Sequence, residues 1–391
     1  MANQNDAVVQ LLSRLAEFRR DANILPETVE ASLLLGPGWI ARFEAGLSLP
    51  TLDLLLLLLR MYGRHPADLF RDVDVNALGE RLARNMYAAP DGGDLLVHFG
   101  YAQFDAVYRL RNATVEQYTG VMQVLRNGLA RLVDEEDEAE ALKADAVANA
   151  FLHAVATWPT ANPSDLWWFI IYRAYLDPFN HPANFARIDF GQSWKRTGGW
   201  ALEEVIVRHY APFLAEQGVA LYIASNEEKR SLAAAFQVRE RLETDKIDVV
   251  IAGIAQGSRL PFGALHVKAS FAERRTDDVP MSRALIAAGY TSPLWTMDCK
   301  STPSREPTNR GELGLALGAG AGGDRRSAKR KDIEDDAYFS ACFSYNRNTV
   351  PTPDGQNAAA RVYCCDFSTK DDAFSRFLVA GWQRFRQGRI Q

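Results

Sequence analysis

Residues 264–270 alternate in character. Leu265, Val267 and Ala269 fall on one side, and His266, Lys268 and Ser270 fall on the other. That is the two-residue period of a half-buried strand. Upstream, residues 245–251 read as a second strand, and the stretch between them carries Gly253, Gly257, Pro261 and Gly263. Such a connection suits a hairpin. The hairpin sets an acid, Asp248, on one strand and an ammonium, Lys268, on its neighbour. Chemically, the pair suits metal-assisted hydrolysis of a phosphodiester. A carboxylate offers hard oxygen to Mg²⁺, while a lysine orients the attacking water or neutralises charge on the phosphate. A rival lies downstream, where Thr296, Asp298 and Lys300 share one face and Asp298-Cys299-Lys300 spells acid–x–lysine outright. Asp248 with Lys268 is the central assignment, and Asp298 with Lys300 the alternative.

These residues sit in a chain of 391, more than one compact domain usually needs, so two or three are expected. With 47% hydrophobic and 24% charged residues it can bury a sizeable core. A net charge of −5 gives no global positive field, so any DNA contact must come from local basic clusters. The histidines are scattered, and Cys299, Cys342, Cys364 and Cys365 show no zinc spacing. Reduced thiols in a cytoplasm are expected. The start has no signal-like segment, and the leucine run 54–59 is too short to span a bilayer. The reading is a soluble, cytoplasmic protein.

The elements that must position the chemistry fall into three stretches. Residues 1–75 read as five short helices: the first capped by Asp6, the second opened by Pro26, the third over 37–45, a leucine-rich fourth after Pro50, and a fifth at Pro66. A tight turn at Gly36 between the second and third suits a helix-turn-helix bundle. Ile40 to Gly46, followed by Pro50-Thr51-Leu52, resembles the Cro/repressor-type helix-turn-helix family. The resemblance implies DNA binding through the third helix, with Trp39 and Arg42 as contacts. The other reading of the same bundle is a dimerisation or packing module, and the leucine run reads as core.

Residues 76–160 keep a helical pattern, with helices expected at 78–86, 104–110, 118–133 and 145–157 and a solvated acidic run at 134–140. This stretch reads as a connector or dimerisation region. Residues 161–391 carry the remaining motifs. Trp167 to Tyr172 reads as a buried helix, and a helix beginning near Gly199 presents Leu202, Val205, Ile206 and His209 inward with Glu203 at one edge. A further helix, capped by Asp278 with Pro280 in its first turn, separates the two candidate sites and ends at Gly289. A helical glutamate before a hairpin bearing Asp and Lys is the layout of the PD-(D/E)xK nuclease core, in which helices pack on a mixed sheet.

Ser193 to Glu203, the run Lys268 to Arg274, and Ile333 to Ser340 resemble type II restriction endonucleases. They look most like the BsaWI-like group related to enzymes that cut CCGG-type sites. The resemblance spans about residues 190–380. It implies a site-specific nuclease in which Asp248 and Glu203, with the main chain at Val267, hold Mg²⁺, and Lys268 is the catalytic lysine. DNA contacts are implied at Lys195, Arg196, Ser270, Glu273, Arg274 and Arg275. Independently, a carboxylate accepts from cytosine N4 and a guanidinium donates to guanine O6 and N7, so Glu273-Arg274 can read C and G. The superfamily pattern places an acid two residues before the lysine, where this chain has His266. Glu203, Glu273, Asp277 and Asp278 are the candidates to replace it. Related CCGG cutters also carry a basic residue before the Glu-Arg pair, where this chain has Ala272.

Gly314 to Gly323 lacks the ending of a phosphate-binding loop, and the basic cluster Arg325, Arg326, Lys329, Arg330 and Lys331 after it reads either as a clamp on the DNA backbone or as a solvated loop. The leading hypothesis is a homodimer on a palindrome, each copy cutting one strand of double-stranded DNA, with a cognate methyltransferase in the same system. The competing ones are a transcriptional regulator with a degenerate nuclease-like domain and a modification-dependent nuclease.

Overall fold

The computed structural model describes residues 7–45, 49–73, 86–101, 104–133, 138–177, 180–182, 190–236, 247–270, 275–299, 309–318 and 323–389. The chain divides into two compact units, Met1–Tyr87 with His98–Val107, and Ala88–Val97 with Tyr108–Gln391.

The first unit holds helices α1 (Ala7–Asp21), α2 (Pro26–Ser32), α3 (Trp39–Glu44), α4 (Leu52–Met61) and α5 (Pro66–Phe70), close to the stretches read from the sequence, while Asp6, the expected cap of α1, lies outside the described residues. Thr51 caps α4, and His65 with Asp68 closes a capping box on α5. Leu15, Phe18, Val29, Ile40, Phe43, Leu58, Leu59 and Leu69 form its core. Arg19 grips Glu44 through two hydrogen bonds of 2.6 and 2.9 Å, fixing α1 to α3. The leucine run is core only in part. Leu58 and Leu59 are 1% exposed, whereas Leu52, Leu56 and Leu57 are 71%, 46% and 46% exposed.

The middle stretch departs from the helical expectation. Strands β1 (Tyr87–Asp91), β2 (Asp94–Tyr101) and β3 (Phe104–Leu110) form a three-stranded sheet in that order. The helix expected at 104–110 is therefore β3, while the one at 78–86 lies almost wholly outside the described residues. Val107, Tyr108 and Leu110 favour a pleated, half-buried surface, and burial alternates along 106–110. Two helices follow. The first, α6 (Val115–Ala130), has a Thr114/Gln117 capping box, and the second is α7 (Ala139–Thr157). Gly128 permits their close approach, because a Cβ there would stand 2.5 Å from that of Ala146. Then come the short α8 (Pro163–Asp165), a π-helical stretch Leu166–Tyr172, and α9 (Arg173–Leu176).

The large sheet of the second unit is mixed. Its order is β4 (Val219–Tyr222), β5 (Val249–Ala255), β6 (Ser258–Lys268), β7 (Leu294–Thr296), β8 (Cys342–Ser344) and β9 (Val362–Cys364). The pairs β4–β5 and β5–β6 are antiparallel, and the remaining pairs are parallel. The β5–β6 connection is tighter than expected, a two-residue turn of Gln256 and Gly257, both at positive φ. Gly253, Pro261 and Gly263 lie inside the strands instead. Gly253 lets Trp382 lie on β5, since a Cβ there would come within 2.2 Å of the indole ring. Helix α10 (Phe190–Glu216) begins well before Gly199, and it is followed by α11 (Asn226–Ala235). Helix α12 (Arg275–Ala287) carries the chain from β6 to the parallel β7, with Asp278 inside it and not at its cap. Helices α13 (Ala328–Glu334) and α14 (Ala373–Arg389) complete the unit.

Candidate active site

Asp248 stands immediately before β5 and Lys268 ends β6, so the antiparallel register brings them side by side. The Lys268 Nζ lies 3.0 Å from Asp248 Oδ2, and that same oxygen accepts the Val267 N–H at 2.8 Å. On the other flank Nζ lies 3.2 Å from Asp278 Oδ2, presented by α12. Burial alone pulls the lysine pKa down, but the two carboxylates outweigh it and hold the ammonium above its ordinary value.

Glu203 on α10 lines the same cleft, of about 520 Å³, together with Asp248, Val267, Lys268 and Ser270. Its carboxyl is pushed up to about 8, first by burial and then by the nearby charge of Asp248, with Lys229 and Lys268 pulling the other way. Two acids close enough to repel, one of them buried with its proton, are the donor chemistry that a divalent cation relieves. Among the described residues no three His, Cys, Asp or Glu side chains gather as a metal cluster. Lys195 and Arg196, exposed on α10, and Lys229 on α11 add positive charge to the cleft walls. Lys229 had no signal in the sequence, where it sits in an ordinary polar helical run.

His266 occupies the position where the superfamily pattern has an acid. It is fully buried, its Nε2 lies 2.9 Å from Ser292 Oγ, and its ring packs edge-on against Phe339. Burial pushes its pKa down to about 4, so the imidazole is neutral at pH 7. Of the proposed replacements, Asp278 reaches Lys268, whereas Glu273 and the Asp277 side chain lie outside the described residues. So do Arg274, the side chain of Arg275, and Lys300.

Asp298 of the rival pair is fully buried and already engaged. Its carboxylate accepts the N–H groups of Glu312 and Leu313 at 2.5 and 3.2 Å and the Thr349 hydroxyl at 2.6 Å. Gly311 crosses so close that a Cβ would meet Asp298 Oδ2 at 2.3 Å. This carboxylate ties loops together, and burial raises its pKa to about 6.

Among the described residues, four of the five cations in the basic cluster, all but Arg325, are already paired. Arg330 is buried on Glu334 and the Val350 carbonyl, and Arg326 pairs with Asp324, Glu334 and Asp335. Lys329 pairs with Glu312 and Lys331 with Asp324. Acids brought close by the fold neutralise cations that the sequence shows only as a run.

No family model matches the chain. The type II restriction enzyme AgeI of Thalassovita gelatinovora is 38% identical over 245 residues, covering 60% of this chain and 83% of that protein. This chain belongs to the type II restriction enzymes. The crystal structure of the specific AgeI–DNA complex matches with a TM-score of 0.62 and 34% identity, over 73% of this chain and 99% of that one. The pre-specific BsaWI–DNA complex matches at 16% identity with a TM-score of 0.31, too slight to carry an argument. Membership of the type II restriction enzymes makes the chain a site-specific endonuclease and leaves the regulator reading behind. Among the described residues no helix is long and apolar enough to cross a membrane.

Proposed function

We propose that this restriction enzyme cuts double-stranded DNA at Asp248, Glu203, Asp278 and Lys268. The observation that carries the reading is one ammonium held between two carboxylates, 3.0 and 3.2 Å away, beside a cleft that a third carboxyl, Glu203, lines. Asp248, Glu203 and the Val267 carbonyl would hold Mg²⁺, which when bound supplies positive charge to the scissile phosphate and acidifies water. Lys268 orients the attacking water and donates to the phosphate. Asp278 keeps that lysine charged and aimed. Lys195, Arg196 and Ser270 on the cleft rim contact the backbone, while Glu273 and Arg274, with Arg275 beside them, read C and G in a half-site, about 1–3 kcal/mol of discrimination for each good contact. A palindrome with a CCGG core, met by two copies, fits that readout.

Digestion of unmethylated phage DNA tests the centre. Discrete bands that need Mg²⁺, vanish with EDTA and with Lys268→Ala, and survive Lys300→Ala are expected. Bands lost only with Lys300→Ala would move the centre to Asp298.

For the first unit we propose a helix-turn-helix that holds DNA through α3. Gly38 turns the chain into α3 at φ +83°, Trp39 is 42% exposed, and the Arg42 guanidinium lies 5.7 Å from its ring centre. Arg42→Ala should weaken DNA binding at every sequence and flatten the log–log salt slope by about 0.9, as loss of one phosphate contact requires. An unchanged slope would leave the unit a packing module. A cytoplasmic location and a methyltransferase partner complete the reading.

A further inference from the structure

We infer that α4 of the first unit is a self-complementary docking face for a second copy of this chain. Leu52, Asp53, Leu56, Leu57 and Arg60 are exposed, while Leu58 and Leu59 turn into the core. Positions 52, 53, 56, 57 and 60 form one helical stripe. Three exposed leucines on ten residues are an apolar ridge of the kind that marks a contact. The charges choose the occupant. Asp53 opens the ridge and Arg60 closes it, and among the described residues neither is in an ion pair. Lay two such helices antiparallel about a two-fold axis between Leu56 and Leu57. Leu56 then meets Leu57 of the other copy, and Asp53 meets Arg60, twice over. A parallel pairing instead sets Asp53 on Asp53 and Arg60 on Arg60. The face is therefore complementary to itself in one register, as an isologous contact demands. Its position in the first unit makes this contact independent of how the nuclease works.

Cysteine cross-linking of the full chain tests the register. In a Cys364→Ser background, which removes the exposed thiol, Asp53→Cys and Arg60→Cys are made singly and together. In the antiparallel pair, equal positions stand roughly 10 Å apart along the axis, beyond disulfide reach, while 53 and 60 of opposite copies are adjacent. The double variant should give a covalent dimer under mild oxidation, and each single variant at least tenfold less. Equal yields from single and double variants, or no dimer from any, would overturn the proposal. Charge reversal gives a second measure on a Leu56→Cys reporter. Asp53→Arg or Arg60→Asp alone should lower the cross-linking yield, and the two together should restore it. No loss, or no restoration, would also overturn it.

Discussion

A carboxyl that keeps its proton to about pH 8 leaves a mark on stability as well as on chemistry. Glu203 binds its proton more tightly in the folded chain than in the unfolded one, where its value is near 4.5. Without a divalent cation, its contribution is fully present below pH 4.5 and is lost as pH rises toward 8. Glu203→Gln should flatten that loss, on the order of a few kcal/mol at most, in melting temperature followed against pH. An identical slope in the variant would mean that Glu203 is not the group responsible. The same proton competes with the cation, so Mg²⁺ affinity should climb through this interval. Lys268 makes no such mark, because its two acid neighbours hold it charged across the range.

The elements explain which of these roles could be read in advance. Asp248 stands just before β5 and Lys268 at the end of β6, strands joined by a two-residue turn, so alternation and a glycine suffice to pair them. Glu203 followed from helical spacing around Leu202, Val205 and Ile206. The position of Asp278 against Lys268 and of Lys229 against Glu203 depends on how α12 and α11 dock, which no local pattern encodes. His266 was legible as a missing acid, but its burial against Phe339 was not. β3 looks helical in the sequence because seven residues with apolar positions fit a short helix and a strand alike, and the choice is made by its neighbour β2. The basic run misled for a related reason: Glu312 and Asp324, which neutralise part of it, are brought in by loops. Docking of elements also sets a stability prediction. Gly253→Ala drives a methyl into the Trp382 ring, so α14 must shift on β5, at a cost of about 1–3 kcal/mol by overpacking. Urea denaturation measures it, and a neutral result would show that α14 moves freely.

At the scale of the whole molecule, a net charge of −5 supplies no general positive field, so the proposed grip on DNA rests on local cations such as Lys195. The match to the AgeI complex covers 73% of this chain and 99% of that one, so about a quarter of this chain has no counterpart there. If each copy cuts one strand, mixing active enzyme with Lys268→Ala protein and letting copies exchange should yield nicked circles from a plasmid with one site. Linear product alone would mean that one copy makes both cuts. The packing around the sheet also carries a consequence for truncation. Trp382 of α14 covers Gly253 on the strand beside Asp248, and Asp372, just before that helix, takes the Tyr210 hydroxyl of α10 at 2.6 Å. The strand that follows Asp248 and the helix that carries Glu203 are thus both braced by residues far downstream in the chain. A chain cut before Asp372 would keep Asp248, Glu203 and Lys268 but lose both braces, so it should melt at a lower temperature than the longer chain.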